Sequence, residues 1–226
     1  MTADPQSLPT VKLDTLYDIT VSGGPLMWPI AFSSIVALAY IVERSIRLRD
    51  RELGSLAYGR TIVDALVQGG PARALAACGK ELPLGRILRT GLERAERPVL
   101  EREKAVEDAG ARELKRLNAR LRPLAIVSVL APLLGFLGTV TGMIQAFLTI
   151  ALKQGLGRTE LLAAGISQAL VTTAAGLFVA IPAQVAYFWF RSRVERFARR
   201  TEDVYGELDE ALTRACAPRA PAEAAS

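Results

Sequence analysis

The side chains able to do chemistry in the apolar stretches of this sequence are hydroxyls and amides. Thr139 stands in one such stretch, and Thr173 and Gln168 stand in another. These groups can exchange hydrogen bonds with water or with an acid, but they do not titrate near neutral pH. An amide left alone in hydrocarbon is costly, so Gln168 must find a partner or face water. Other chemistries have little support. Two cysteines and no histidine leave no recognisable cluster for zinc or for imidazole catalysis. Nothing assembles a nucleophile with a base, so the chain is not expected to be an enzyme and no metal or cofactor is expected.

Spacing organises these groups. Ser128, Pro132, Gly135, Thr139, Gly142, Ala146 and Thr149 recur at alternating steps of four and three, which puts them along one helical face. Ala169, Thr173, Gly176, Ala180 and Ala183 repeat the pattern further on. In lipid no hydrophobic force holds helices together, and small residues let backbones approach so that dispersion forces act. Gly135, Gly138, Gly142, Gly165, Gly176 and Pro182 are therefore expected to serve helix packing. Two polar faces on neighbouring helices admit either close packing or a water-accessible path. Periodicity does not separate these, since a threonine hydroxyl can simply bond the carbonyl four residues back. Gln168, one turn before Thr172, favours a partner or water.

The elements that must position these residues are membrane helices. Residues 19–42, 123–152 and 161–190 contain no Asp, Glu, Lys or Arg, in runs of 24, 30 and 30 residues. A span needs about 20. The residues before the first run include Asp4, Asp14 and Asp18 with the single cation Lys12, unlike the basic start of a signal peptide, so this run is read as a retained anchor. Of 28 basic residues, 18 fall in 44–122 and seven in 191–226, which assigns both segments to the cytoplasm and the amino terminus to the outside. The basic excess thus has a topological cause, and the segments lack the aromatic and glycine patterns of nucleic-acid modules.

The expected fold is an all-α integral membrane protein with three transmembrane helices, the second and third extended into a cytoplasmic helical bundle. Its parts are an outer segment 1–24, a first transmembrane helix 25–43, a cytoplasmic helical region 44–122 and a second transmembrane helix 123–152. An outer loop 153–159, a third transmembrane helix 160–190, and a cytoplasmic extension with a disordered tail 191–226 follow. The loop is short enough to force the second and third helices antiparallel, with Thr159 placed to cap the third. Within 44–122, breaks are expected at Gly69 to Pro71 and at Pro83. From Val106 an apolar stripe runs directly into the second span, and Val194, Phe197, Thr201, Val204, Leu208 and Ala211 continue the third. A helix over 161–212 would be about 80 Å long. Trp28 is expected as an interfacial anchor and Glu43 as an interfacial residue paired with an arginine. Cys78 and Cys216 fall in cytoplasmic parts, where a disulfide is not expected.

The segment APLLGFLGTVTGMIQAF at 131–147, with GISQALVTTAAGLFVAIPA at 165–183, resembles the paired signature of the MotA/TolQ/ExbB proton channels, most closely the ExbB and TolQ branch. PLMWPIAFSSIVALAYIVER around the first span shares the likeness. The resemblance implies a multi-pass protein of the bacterial inner membrane, with its amino terminus in the periplasm. It implies a pentamer whose second and third helices surround a pore, and a single-span partner of ExbD or TolR type that supplies a transmembrane aspartate. Force would pass across the periplasm through that partner or a TonB- or TolA-type protein. By position, Thr139 and Thr173 match the threonines that line the family's proton path. Gln168 stands where better known members carry glutamate, so the carboxylate that a proton relay needs must come from the partner. The expected function is a pore-forming subunit of a motor driven by the proton-motive force. Two alternatives are a passive membrane scaffold and a flagellar-stator-like subunit, although stator subunits usually have four spans and a larger cytoplasmic domain.

Overall fold

A computed structural model describes residues 23–152 and 159–216 of the 226. The tail after Ala217, most of the loop 153–159, most of the segment 1–24 and the capping side chain of Thr159 lie outside the described residues. No strand occurs among the described residues. Among the described residues seven helices follow in order: α1 (Met27–Arg47), α2 (Asp50–Leu53), α3 (Leu56–Ala77), α4 (Pro83–Leu92), α5 (Val99–Ala119), α6 (Arg122–Leu152) and α7 (Thr159–Cys216). The chain divides into two compact units, one built from residues up to 41 with 123–186, the other from 42–122 with 187–226.

In the first unit, α1, α6 and the first half of α7 are long and apolar enough to cross a membrane. Their outward faces carry large apolar side chains: Trp28, Phe32, Ile35 and Leu38 on α1, and Phe178, 81% exposed, on α7. Water would penalise such a surface and lipid tails do not, which is the burial pattern of a bilayer-embedded helix. α1 starts after Gly24, whose φ of +75° suits a residue without Cβ.

In the second unit α4 packs on α5, and both meet the later half of α7 around Ile62, Leu66, Ile87, Leu88, Val204 and Leu208, all buried. Glycines admit these approaches: a Cβ on Gly59 would meet the Val204 side chain at 2.7 Å, and one on Gly91 would meet Val106 and Tyr205 at 3.1 Å. The expected break in α3 falls at Gly70, whose φ of 73° and ψ of −176° belong to a region open essentially to glycine alone. Pro71 follows it. Pro83 opens α4, where its missing N–H costs no helical bond.

The stripe leading into the second span is divided. α5 ends at Ala119, Arg120 and Leu121 form a turn, and α6 begins at Arg122. Pro123 contributes, because it has no N–H for the Ala119 carbonyl. On α7 the expected stripe is buried from Val194 through Leu208, then passes to Leu212 in place of Ala211.

Ion pairs that the sequence does not advertise hold the second unit together. Arg102, 2% exposed, donates Nε to Asp209 Oδ1 at 2.7 Å and Nη1 to the Ala95 carbonyl at 3.3 Å. Burial works against its charge, but the Asp209 hydrogen bond and charge outweigh it and raise its pKa. Tyr205 donates to the same carboxylate, and burial together with the Asp209 charge pushes its phenol up to about 12. Glu43 bonds Arg44 at 3.3 Å and Arg47 at 3.1 Å, the arginine partnership expected of it. Cys78 is free and buried, and burial drives its thiol up to about 11.

Candidate functional site

α6 and α7 meet through residues that scarcely have side chains. Along α6 the buried row is Ala131, Gly135, Gly138, Gly142 and Ala146, and along α7 it includes Ala169, Thr172 and Gly176. The contacts run in opposite order on the two helices, which makes the pair antiparallel. A Cβ on Gly142 would lie 3.1 Å from Ala169 Cβ, one on Gly135 would lie 3.0 Å from Thr173 Cα, and one on Gly176 would lie 2.5 Å from the Ala131 carbonyl oxygen. Gly165 is likewise closed by Ala146, and Gly138 by the Thr172 methyl group. At each of these five glycines a Cβ would meet atoms of the other helix at 3.1 Å or less. Pro182 is exposed.

The row in contact is rotated from the one that spacing suggests. Ala131 and Gly138 replace Pro132 and Thr139 at the interface, leaving Thr139 half-buried at its flank. On α7, Thr172, 1% exposed, takes the buried position assigned to Thr173. With 3.6 residues per turn, adjacent rows on one helix share members such as Gly135 and Gly142, and only the partner helix selects between them.

Each hydroxyl then has a distinct neighbour. Thr173 Oγ1 donates across the interface to the Gly135 carbonyl at 3.0 Å. Thr139 Oγ1 donates within its own helix to the Phe136 carbonyl at 2.6 Å. Thr172 Oγ1 stands 2.9 Å from both the Gly23 and the Gln168 carbonyls, so its single proton ties the turn before α1 to α7. Thr172 is the residue that sequence reasoning passed over. Its signal was the adjacency of two threonines, of which one had to face the neighbouring helix. The Gln168 carboxamide lies against Gly24, close enough that a Cβ there would overlap it. Gln168 also lines a groove of about 470 Å³ with Gln145, Thr149 and Ser167. The structure thus gathers Gln168 and Thr172 at the 23–24 turn, joins Thr173 to Gly135, and links Thr139 to neither by a hydrogen bond.

The chemical capacity follows. With their protons committed to carbonyls, Thr139 and Thr173 keep lone pairs free to accept from water or from a protonated acid. To donate toward a carboxylate, each must release its carbonyl.

The sequence profile of the MotA/TolQ/ExbB proton channel family matches residues 80–203, which include both helices of this pair. An ExbB-like biopolymer transport protein of Synechocystis sp. is 33% identical over 186 residues, covering 81% of this chain and 73% of that protein. The biopolymer transport protein exbB1 of Vibrio cholerae is 31% identical over 76% of this chain and 77% of its own length. The Tol-Pal system protein TolQ of Haemophilus influenzae is 35% identical over about half of each chain, 52% and 51%. The chain belongs to the MotA/TolQ/ExbB proton channel family. It stands in the ExbB/TolQ branch, as a multi-pass protein of the bacterial inner membrane. The profile takes in α4, α5, α6 and most of α7, so the glycine-lined pair lies within the part of the chain that matches the family.

Proposed function

We propose that the chain is the pore-forming subunit of an inner-membrane motor driven by the proton-motive force. In this reading several copies, five by family resemblance, place α6 and α7 around a pore occupied by a single-span partner of ExbD or TolR type. The observation that supports it is the pairing of two charge-free spans through a glycine-lined interface whose flanking threonines retain acceptor lone pairs. No carboxylate occurs in 123–152 or 161–190, so the group that gains and loses the proton belongs to the partner. Thr139 accepts a hydrogen bond from the protonated partner acid or a water beside it, and Thr173 does so while bonded to Gly135. Each proton crossing releases about 2.3 kcal/mol per 100 mV, which biases a rotation or shift of the partner against the ring. The output reaches a TonB- or TolA-type protein. The 18 basic residues of 44–122 support a cytoplasmic position for that segment and, with it, a periplasmic amino terminus.

The test is motor output in cells expressing the chain with its partner. Thr139→Val should abolish energy-dependent uptake or envelope function while the complex still purifies intact, and undiminished output would exclude the role. One contact favours a second reading, a passive scaffold: the Thr173 hydroxyl is spent on Gly135 inside the pair. Under that reading Thr173→Val weakens the fold and Thr139→Val changes nothing.

A further inference from the structure

Where α6 and α7 approach the 153–159 connection, within the first unit, runs the groove of about 470 Å³ that Gln168 lines together with Gln145, Thr149 and Ser167. Its depth is set by the two spans that form it. Counted from the midpoints of the uncharged runs 123–152 and 161–190, Thr149 stands about 17 Å out along its helix, Gln145 about 11 Å and Ser167 about 13 Å. The half-thickness of the hydrocarbon layer is about 15 Å, so the mouth of the groove lies at the bilayer edge and its polar walls lie inside it. Gly142 and Val171 line the inner end, about 7 Å from the same midpoints, and Thr139 and Thr173 follow at about 2 and 4 Å.

Hydrogen bonding sets this groove apart. Among the described serine and threonine hydroxyls of these two runs, each one other than Ser167 donates to a backbone carbonyl, Thr149 to that of Gln145 included. The Ser167 hydroxyl makes no hydrogen bond among the described residues, and neither do the carboxamides of Gln145 and Gln168. Three unpaired polar side chains therefore converge on one groove at hydrocarbon depth. An acyl chain filling it would strip water from a hydroxyl and two amides and return no hydrogen bond. The groove is far larger than the roughly 30 Å³ share of one water molecule. Hydroxyl and carboxamide groups each both donate and accept, so together they can hold a chain of waters in either orientation.

We propose that this groove is a water-filled inlet through which the proton enters the α6/α7 pair from the end that carries the 153–159 connection. Gln145, Ser167 and Gln168 hold the water, and the column ends about one helical turn short of Thr139 and Thr173, whose free lone pairs accept from it. The lining is neutral, so it solvates a passing proton without trapping it as a carboxylate would. The inlet presupposes the motor proposed above and supplies its route of entry.

The experiment is single-cysteine labelling of the full chain in nanodiscs, in a Cys78→Ala and Cys216→Ser background. A water-soluble, positively charged methanethiosulfonate reaches both faces of a nanodisc, so the result does not depend on orientation. Thiols react as thiolates, which form in water and not in hydrocarbon. Gln145→Cys and Ser167→Cys should react about tenfold faster than Ile144→Cys and Leu170→Cys, exposed apolar positions at similar depth outside the groove. In cells, modification of Ser167→Cys should abolish the motor output that the same variant shows before treatment, and a reducing agent should restore it. Equal reactivity of the two pairs would overturn the inlet, by showing a groove filled by lipid or sealed by a neighbouring helix. Undiminished output from fully modified Ser167→Cys would overturn it as well. The motor itself fails on a separate result: a fully active Thr139→Val would end that role and leave the labelling pattern as it is.

Discussion

At the scale of single residues, the two adjacent threonines of α7 do different work. Thr172 points into the first unit and reaches the Gly23 carbonyl, whereas Thr173 reaches the Gly135 carbonyl of α6. The hydroxyl at 172 is nearly inaccessible, so no water can replace its bond. Thr172→Val preserves shape and removes the donor, and a buried carbonyl then loses its partner at a cost of about 1–3 kcal/mol. The expected thermal unfolding shift in detergent is a fall of about 2–4 °C per kcal/mol for a chain of this size. Thr139→Val should leave the melting temperature unchanged, because that hydroxyl serves only its own helix. A Thr172→Val protein as stable as the parent would show that the 23–24 turn is held by other contacts.

At the scale of elements, the α6/α7 pair depends on backbone proximity. Gly176 sits where a Cβ would come within 2.5 Å of the Ala131 carbonyl oxygen and 3.1 Å of Gly135 Cα. Backbone atoms cannot rotate away as a side chain can, so Gly176→Leu must separate the helices. It should prevent accumulation of folded protein or yield a chain that a protease added to membranes cuts rapidly. Gly110, with nothing near a built Cβ, is the control: Gly110→Ala should be neutral or slightly stabilising through helix propensity. Equal protease resistance of both variants would refute the packing role of Gly176.

At the scale of the molecule, the buried and bidentate ion pairs among the described residues lie in the second unit. The uncharged runs carry no Asp, Glu, Lys or Arg, whereas the second unit holds the Arg86–Glu113 and Arg102–Asp209 pairs. The Arg86 hydrogen bond, opposed by burial and aided by the Arg86, Arg116 and Arg120 charges, lowers the Glu113 pKa. A depressed folded-state value means that this contribution is complete above the unfolded carboxylate value near pH ~4.3, and is lost as pH falls through the folded value. Glu113→Gln should therefore lower stability at pH 7 and flatten the loss between about pH 4.3 and more acid conditions, measured by thermal melts across pH. Parallel pH profiles for parent and variant would exclude that linkage.

Composition and spacing alone determined the three spans, the antiparallel pair, the glycines that pack it and the breaks at Gly70 and Pro83. Each follows from local rules: charge is excluded from hydrocarbon, a short loop reverses direction, and backbone geometry restricts glycine and proline. The family likeness was legible for the same reason, since its motif occupies those spans. Tertiary structure alone decided which of two overlapping rows on α6 meets α7, and hence that Thr172 and not Thr173 is the buried hydroxyl. It also paired Arg102 with Asp209 across 107 residues and Arg86 with Glu113 across 27. No periodicity within one helix encodes such choices, because they depend on the rotation of a second helix and on which distant charge that rotation brings within hydrogen-bonding reach.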